Sequence, residues 1–363
     1  MSGAAERRAT RSRFDRGARA VGYRPLDLIG RGGMAEVWLS DAIFEDGEVE
    51  RVALKRIRPG LESDVFLSMF EDEVRLGRYL VHPNLVRMLD ATHVDGARSM
   101  VMELVEGDSL KGLVDRTRAG SPVLSLGLSL YVMRELAKGL SYAHGLVDET
   151  GETLGIVHRD VSPHNVLLGR EGQVKLADFG LSDSRTNRTV REPHMVGGKF
   201  GYLAPEVVKQ KPSDHRVDVF AMGIVLWETL VGRRLFHHED DRETLFKVMR
   251  CEVPRLAEVG VEAPEVVQRL LDGLLEPDPD ARIPDASTAA REIQRAIDAV
   301  SEPVGPQQVA EVVELHLLGM GGFVDGSARR IRDSESRELD PHGRRTSIPD
   351  LDEAERSRPS LTG

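Results

Sequence analysis

The sequence predicts an α+β fold of two unequal lobes, in which a small β-rich lobe with one main helix precedes a larger, mostly helical lobe. Strand-like alternation and glycine turns fill about the first hundred residues, apart from a helical period from Asp64 to Val81. From Leu126 onward, apolar residues recur at helical spacing. The length of 363 residues is too great for one ordinary core and fits two lobes with tails.

Composition indicates a soluble globular protein and excludes several functional classes. Hydrophobic residues make up 40% and charged residues 30%, and the net charge of -11 argues against nucleic acid as the main partner. The longest apolar stretch runs from Phe220 to Trp227 and is broken by Glu228, so no membrane span is expected. The single cysteine, Cys251, permits no internal disulfide and favours a reducing, cytoplasmic location.

A glycine-rich turn joins two predicted strands near the start of the small lobe. It runs from Ile29 to Val37 and contains Gly30, Gly32 and Gly33. Glycines allow backbone amides to approach phosphate oxygens because no Cβ stands in the way. Taken alone, the same pattern also fits a plain hairpin.

The strand after the next turn carries a small residue and a lysine on one face. Alternation over Arg51 to Ile57 places Ala53 and Lys55 together on that face. A nucleotide base could lie over the alanine while the ammonium reaches the phosphates. Most lysines in strands are merely solvated, so the interpretation depends on the rest of the chain.

Two polar clusters flank a predicted hairpin between His158 and Gly180. Asp160 and Asn165 precede the hairpin, and Asp178 follows it. Because a hairpin brings its ends together, these three side chains should converge in one pocket. Asn165 and Asp178 supply the oxygen ligands that Mg²⁺ prefers, with Mn²⁺ as an alternative. Asp160 is then left to accept a proton from an incoming hydroxyl.

The order of these motifs along the chain resembles that of eukaryotic-type protein kinases, and in particular their bacterial members. The resemblance rests on His158-Arg159-Asp160 with Asn165, on Asp178-Phe179-Gly180 and on Ala204-Pro205-Glu206, in addition to the glycine turn and Lys55. It covers about Gly22 to Val300. It implies a bilobal protein-kinase-like fold with an N-lobe over residues 22–103, a hinge over 103–107 and a C-lobe over 108–300.

The resemblance implies an ATP-dependent protein kinase that acts on Ser and Thr hydroxyls of proteins. Lys55 would position the α- and β-phosphates, and Glu73 of the small-lobe helix would hold Lys55. Asp160 would be the base, and Met102 would be the gatekeeper beside the adenine. The implied ATP-binding residues are Ile29, Gly30, Gly32, Gly33, Val37, Ala53, Lys55, Met102, Glu103, Val105 and Leu167.

Apart from Ala35, which stands where the family's third loop glycine is usual, two positions depart from the family pattern. Two positions after the base, most serine/threonine kinases carry a Lys, where this chain has Ser162. They also carry a Thr near the end of the activation segment, which resembles the stretch from Leu181 to Glu206 here, and this chain has Lys199 at that position. We hypothesise that the cation and the hydroxyl have changed places. Lys199 would then reach Asp160 and the γ-phosphate while Ser162 supplies the hydroxyl. The alternative is that Lys199 faces solvent and catalysis is slower.

The resemblance also implies regulation and structural support. The polar stretch from Leu181 to Gly201 has no period and is expected to be a mobile loop. In the family an Arg before the base, here Arg159, marks kinases whose loop is ordered by a phosphate. Autophosphorylation is expected to take place in a transient dimer of two copies of the chain. The candidate phosphosites are Thr186 and Thr189, with Ser184 third. Two further predictions concern structural support. Asp218 is expected to hold the catalytic loop from beneath or to act as a plain helix cap, and both can be true. Glu206 and Arg282 are expected to form a buried ion pair.

Two other functions are compatible with parts of the pattern. The first is a pseudokinase scaffold that binds nucleotide, for which Ser162 is the only support. The second is a small-molecule phosphotransferase of related fold, which the long activation segment and Ala204-Pro205-Glu206 disfavour. We expect the protein to be a kinase of cytoplasmic signalling whose signal arrives inside the cell.

The two ends of the chain are expected to lie outside the lobes. Residues 1–21 are Arg-rich without an apolar segment and predict a flexible arm. Residues 301–325 predict a linker and a short amphipathic helix that either packs on the large lobe or docks a partner. Residues 326–363 have almost no large apolar side chains and predict disorder.

Overall fold

A computed structural model of the chain describes residues 12–32, 35–60, 64–116, 124–179 and 199–318. The elements within these ranges form two lobes, with an antiparallel sheet in the first and mostly helices in the second. The predicted bilobal α+β fold is confirmed.

The small lobe is a five-stranded antiparallel sheet with one helix against it. Its elements are β1 (Ala20–Arg31), β2 (Ala35–Phe44), β3 (Val49–Ile57), α1 (Asp64–Gly77), β4 (Met88–Val94) and β5 (Ala97–Glu103). The strand order β1-β2-β3-β5-β4 places β3 between β2 and β5. In this register Ala53 pairs with Met102, and Lys55 pairs with Met100 on one side and Val37 on the other.

Apolar side chains cover both faces of this sheet, because successive residues of a strand point to opposite faces. The cluster on the inner face includes Ala53, Ile57, Met100 and Met102 of the sheet and Phe70 and Val74 of α1. The cluster on the outer face includes Ala42, Phe44, Val52, Leu54 and Val101. Helix α1 is therefore held against the strand that carries Lys55.

The chain before β1 packs against the outer face, in contrast to the predicted flexible arm. Phe14 meets the ring of Phe44 edge-on, with the ring centroids 5.4 Å apart. Arg13 forms an ion pair with Asp46. The prediction of a flexible arm over residues 1–21 is therefore wrong for residues 12–21, because the outer face needs an apolar cover that local sequence does not reveal. Residues 1–11 lie outside the described ranges.

The large lobe consists of a short sheet and of helices packed around a central one. Its strands are β6 (Gly107–Ser109), β7 (Val166–Gly169) and β8 (Val174–Leu176). Its helices are α2 (Leu110–Arg116), α3 (Leu126–His144), α4 (Pro205–Val208), α5 (Arg216–Val231), α6 (Asp241–Arg250), α7 (Glu265–Leu274), α8 (Ala286–Asp298) and α9 (Pro306–Leu318). Helix α5 is mostly apolar and almost wholly buried, so it forms the core of the lobe. Within the described ranges, no helix is long and apolar enough to cross a membrane.

A buried ion pair joins α4 to the loop before α8. Arg282 donates to both carboxylate oxygens of Glu206, at 2.8 and 3.0 Å. The guanidinium also lies over the ring of Phe220 in α5, 4.8 Å from its centroid. The two residues form the pair that the sequence predicts, and the pair fixes the end of the activation segment against the core.

Helix α9 packs on the large lobe. Val309 and Val313 are buried in the large-lobe core. Arg170, in the turn after β7, pairs with Glu314 at 3.2 Å. Of the two roles that the sequence left open for this helix, packing is the one that the structure describes. Residues 319–363, including the predicted disordered tail, lie outside the described ranges.

Candidate active site

The β7–β8 hairpin brings the two polar clusters of the sequence to one end. Asn165 directly precedes β7, and Asp178 lies just beyond β8. The N–H of Ala177 donates to the backbone oxygen of Asn165 at 2.8 Å and closes the hairpin there. Asp178 has φ of 55° and Arg159 has φ of 63°, a left-handed region that non-glycine residues rarely adopt. Such positions cluster at functional sites, where surrounding contacts hold them.

Asp218, in the first turn of α5, holds the loop that carries Asp160. Its Oδ1 accepts a hydrogen bond from Arg159 N at 2.7 Å, and its Oδ2 accepts one from His158 N at 2.8 Å. Oδ2 also lies 2.8 Å from Nε2 of His144. Burial would raise the pKa of Asp218, but the hydrogen bond and charge of His144 outweigh it and hold the pKa below its usual value. An ionised, fully buried carboxylate therefore fixes the loop from beneath.

Lys55 lies between two carboxylates. Its Nζ is 2.5 Å from Oε1 of Glu73 and 2.9 Å from Oδ1 of Asp178. Burial disfavours the charged ammonium, but the two carboxylates outweigh burial and raise the pKa of Lys55. The charge of Lys55 in turn lowers the pKa of Asp178, whereas burial raises that of Glu73. One cation thus connects the sheet, α1 and the loop after β8.

Asp160 is held by an amide and an ammonium. Its Oδ2 accepts hydrogen bonds from Nδ2 of Asn165 at 2.8 Å and from Nζ of Lys199 at 2.6 Å. Nδ2 of Asn165 also donates to the backbone oxygen of Asp160 at 2.7 Å. Both hydrogen bonds from Asn165 to Asp160 use the side-chain nitrogen of Asn165. The side-chain oxygen of Asn165 is therefore left for other ligands. Lys199 therefore contacts Asp160, and the alternative that it faces solvent does not describe this structure.

The predicted adenine-contacting residues lie on the inner face of the small sheet and on β7. Ala53 and Met102 are buried in the inner cluster, and Ile29 and Val37 pack against it. Leu167 is half-buried on β7, since both of its neighbours in the strand point into the large-lobe core. These side chains are available to form the two apolar walls of a flat slot.

The glycine turn lies in the chain between β1 and β2 of the same sheet. The N–H of Gly32 donates to the backbone oxygen of Ala35 at 2.8 Å, and Gly30 pairs with Val37. Gly33 lies outside the described residues.

The hinge begins at a tethered carboxylate. Oε1 of Glu103 accepts from Arg87 N at 2.8 Å and from Nζ of Lys175 at 2.7 Å. Val105, two residues after Glu103, is half-buried. Glu103 therefore ties the hinge to β8 through its side chain, so only its backbone is left to meet an adenine edge.

Ser162 does not meet the expectation made for it. The residue is fully buried, and its Oγ has no hydrogen-bond partner among the described residues. Its neighbour Val161 is buried in the large-lobe core as well. The structure does not bring the Ser162 hydroxyl to Asp160, because the loop turns this side chain inward. That half of the exchange hypothesis is not supported.

The comparison with protein families decides what kind of site this is. A model described as "Protein kinase domain" matches residues 23–294. The chain belongs to the protein kinase family. The match contains both lobes and all of the catalytic and metal-binding positions predicted above, so the family resemblance inferred from the motifs is confirmed.

Bacterial protein kinases are among the similar proteins. The chain is 33% identical over 272 residues to tyrosine-protein kinase MasK of Myxococcus xanthus, which covers 74% of this chain and 42% of MasK. It is 32% identical over 278 residues to serine/threonine-protein kinase PrkC of Bacillus subtilis, covering 76% and 41%. It is 30% identical over 292 residues to PknA of Corynebacterium glutamicum, covering 79% and 58%. The chain thus spans about half the length of these relatives, which are named for different acceptor residues.

The donor atoms of the site fit a hard divalent cation. The side-chain oxygen of Asn165 and the carboxylate of Asp178 are oxygen ligands of the kind that Mg²⁺ and Mn²⁺ bind. Among the described residues, no group of three or more His, Cys, Asp or Glu could hold a metal without help. Two side-chain ligands do not fill the octahedral oxygen shell of Mg²⁺, so an ion held here would take its other oxygens from water or from nucleotide phosphates.

The regulatory positions are only partly described. Arg159 lies in the loop held by Asp218, with its N–H donating to that carboxylate at 2.7 Å. Thr186, Thr189 and Ser184 fall in residues 180–198, outside the described ranges. No geometry relates these residues to Arg159.

A supporting cluster beneath Lys199 was not predicted from the sequence. Tyr202 donates through its hydroxyl to Oε2 of Glu228 at 2.7 Å, and Arg234 lies over the Tyr202 ring, 4.8 Å from its centroid. Arg234 is also 3.3 Å from Oε1 of Glu228. Lys199 directly precedes the 3-10 turn Phe200–Tyr202, and its backbone oxygen accepts a hydrogen bond from Tyr202 N at 3.1 Å. The available signal was Glu228 itself, a carboxylate that follows the apolar run from Phe220 to Trp227 within the helix.

Proposed function

We propose that the chain is an ATP-dependent protein kinase that transfers the γ-phosphate to Ser and Thr hydroxyls of proteins. The observation that carries the proposal is the meeting of Lys55, Glu73 and Asp178 within 3 Å contacts, at the hairpin end that also holds Asp160 and Asn165. These are the ammonium, the metal ligands and the base that phosphoryl transfer requires.

Each side chain has one role in the proposed reaction. The acceptor oxygen forms a bond to the γ-phosphorus while the bond from that phosphorus to the bridging oxygen of ADP breaks. Asp160 accepts the proton that the acceptor hydroxyl loses. Lys55, held by Glu73, contacts the α- and β-phosphates. Asn165 and Asp178 would hold Mg²⁺, which neutralises phosphate charge when bound.

Lys199 is proposed to provide the cation that most relatives carry in the catalytic loop. The 2.6 Å contact between its Nζ and Oδ2 of Asp160 supports this role. An ammonium at this point would stabilise negative charge on the transferred phosphate. Because Lys199 comes from the end of the activation segment, catalysis would depend on where that segment lies.

Phosphate transfer and its acceptor can be tested in one experiment. The protein is incubated with Mg²⁺, γ-labelled ATP and peptides whose only hydroxyl acceptor is Ser, Thr or Tyr, and the products are mapped by mass spectrometry. We expect label on the Ser and Thr peptides, above the background of an Asp178→Asn variant that lacks the metal ligand. Label mainly on the Tyr peptides would contradict the acceptor assignment while leaving the kinase assignment intact.

A nucleotide-binding pseudokinase scaffold is the second candidate. The buried, unpartnered hydroxyl of Ser162 favours it, because the catalytic loop then lacks both its usual Lys and a substitute hydroxyl. A scaffold would retain ATP and transfer no phosphate above the Asp178→Asn background. The Lys199 contact to Asp160 argues against it.

Regulation by phosphorylation of the activation segment belongs to the same proposal. Arg159 is adjacent to the proposed base and would pair with a phosphate on Thr186 or Thr189. Autophosphorylation through a transient dimer and a place in cytoplasmic signalling are consistent with this scheme. The same mass-spectrometric mapping identifies which segment residues become modified.

A further inference from the structure

Two matching ladders of charged side chains cross the first three strands of the small lobe. In each ladder an acidic residue of β2 lies between an arginine of β1 and an arginine of β3. The first consists of Arg31, Glu36 and Arg56, and the second consists of Arg24, Asp41 and Arg51. Five steps along the strand, about 17 Å, separate the two acids, and this odd spacing places the two ladders on opposite faces of the sheet. The kinds of charge are the same, but only the first ladder adjoins the glycine turn.

The first ladder connects the two strand ends that flank the glycine turn. Arg31 is the last residue of β1, and Glu36 is the second residue of β2, so the turn lies between them. Nη2 of Arg31 is 2.9 Å from Oε1 of Glu36. The N–H of Gly32 donates to the backbone oxygen of Ala35 immediately inside this pair. The ion pair therefore adds a side-chain bond across the base of the turn.

Glu36 is fixed from the other side. Nε1 of Trp38 donates to its Oε2 at 3.2 Å, and Arg56 lies 3.9 Å from the same oxygen. Arg56 itself lies over the Trp38 ring, 4.8 Å from its centroid. The Glu36 side chain is only 6% exposed. Burial would raise the pKa of Glu36, but the bonds from Arg31 and Trp38 outweigh it and keep the carboxylate ionised.

The second ladder is a natural control for the first. Asp41 is 4% exposed and is paired with Arg24 at 2.6 Å and with Arg51 at 3.0 Å. These residues lie toward the opposite end of β2, away from the turn. Losing either acid would leave two arginines without their shared partner, so the two losses should destabilise the lobe similarly.

We propose that Glu36 is a positioning residue for the glycine turn, and that its pair with Arg31 sets the spacing of the two strand ends from which the turn extends toward nucleotide phosphates. This inference rests on the proposed function, because it assumes that ATP phosphates bind under the turn. Glu36 does not touch the nucleotide. It acts by limiting how far the ends of β1 and β2 separate, so its loss weakens nucleotide affinity more than turnover.

The test compares Glu36→Gln with Asp41→Asn in the full chain. Nucleotide affinity is measured by calorimetry with Mg²⁺ and a non-hydrolysable ATP analogue, stability by thermal unfolding, and kcat and KM for ATP by steady-state kinetics. We expect Glu36→Gln to weaken analogue binding by about three- to tenfold and to raise KM for ATP similarly, with kcat little changed. Asp41→Asn should lower the unfolding temperature as much but leave the affinity unchanged.

A second variant tests the inference even if Glu36→Gln fails to fold. Arg31 is 48% exposed, so Arg31→Gln should leave stability nearly unchanged while removing the pair across the turn. It should weaken analogue binding in the same direction. The inference is overturned if Arg31→Gln binds with wild-type affinity, or if Asp41→Asn weakens binding as much as Glu36→Gln. Failure of the wild-type protein to bind the analogue would instead contradict the proposed function itself.

Discussion

Replacing Asp160 by Asn is expected to lower kcat by on the order of a hundredfold or more. The amide is the same size as the carboxylate and can still accept the hydrogen bond that Lys199 donates at 2.6 Å. It cannot take a proton from an acceptor hydroxyl, so only the proton-transfer function is lost. Steady-state turnover against a peptide acceptor, with ATP at saturation, measures the effect.

The affinity for ATP should stay within about twofold of wild type in the same variant, since Asp160 is assigned to the acceptor and not to the nucleotide. Asp298→Asn, an exposed Asp in α8, is the matched control and should leave kcat unchanged. An Asp160→Asn protein that keeps more than about a tenth of wild-type turnover would show that another group, or none, removes the proton.

Replacing Lys199 by Ala is expected to reduce kcat by about a hundredfold to a thousandfold. The ammonium is the only cation that forms an ion pair with Asp160 among the described residues, and the proposed mechanism assigns it to the charge that develops on the transferred phosphate. Ser162→Ala should be close to wild type, because its hydroxyl is buried and bonds to none of the described residues. The asymmetry between the two variants is the expected result.

The exchanged double mutant separates the position of the cation from its presence. Ser162→Lys with Lys199→Thr restores the arrangement that most serine/threonine kinases carry, and it should recover part of the activity lost in Lys199→Ala. Because Ser162 lies in a buried position, its unfolding temperature must be compared with that of Ser162→Ala. A fully active Lys199→Ala protein would refute the proposed role of this lysine.

The parts of the site that follow from local pattern could be predicted from sequence. Strand alternation places Lys55 on the inner face, and hairpin closure brings Asn165 and Asp178 together. In both cases one local geometric rule determines the direction of the side chain. The family resemblance implies Glu73 as the partner of Lys55, and the structure places the two side chains 2.5 Å apart.

The features that depend on side-chain direction in loops, or on exact strand register, could not be predicted from the sequence. Ser162 turns inward because of backbone rotations in the loop, which no periodicity describes. The pairing of Arg31 with Glu36 depends on irregularities in the β1–β2 register, including one between Leu28 and Gly30. The packing of Phe14 on the sheet joins segments that are distant in sequence, so the sequence of either segment alone does not indicate it.

Calorimetric titration of ATP into the protein, with and without Mg²⁺, tests the central claim most directly. The claim is that Lys55, Asn165 and Asp178 together form a site for nucleotide phosphates and a divalent cation. We expect Mg²⁺ to strengthen ATP binding by about tenfold or more in the wild-type protein, and the Asp178→Asn variant to lose this gain. ATP binding that is independent of Mg²⁺, or an Asp178→Asn variant that keeps the full gain, would contradict the account.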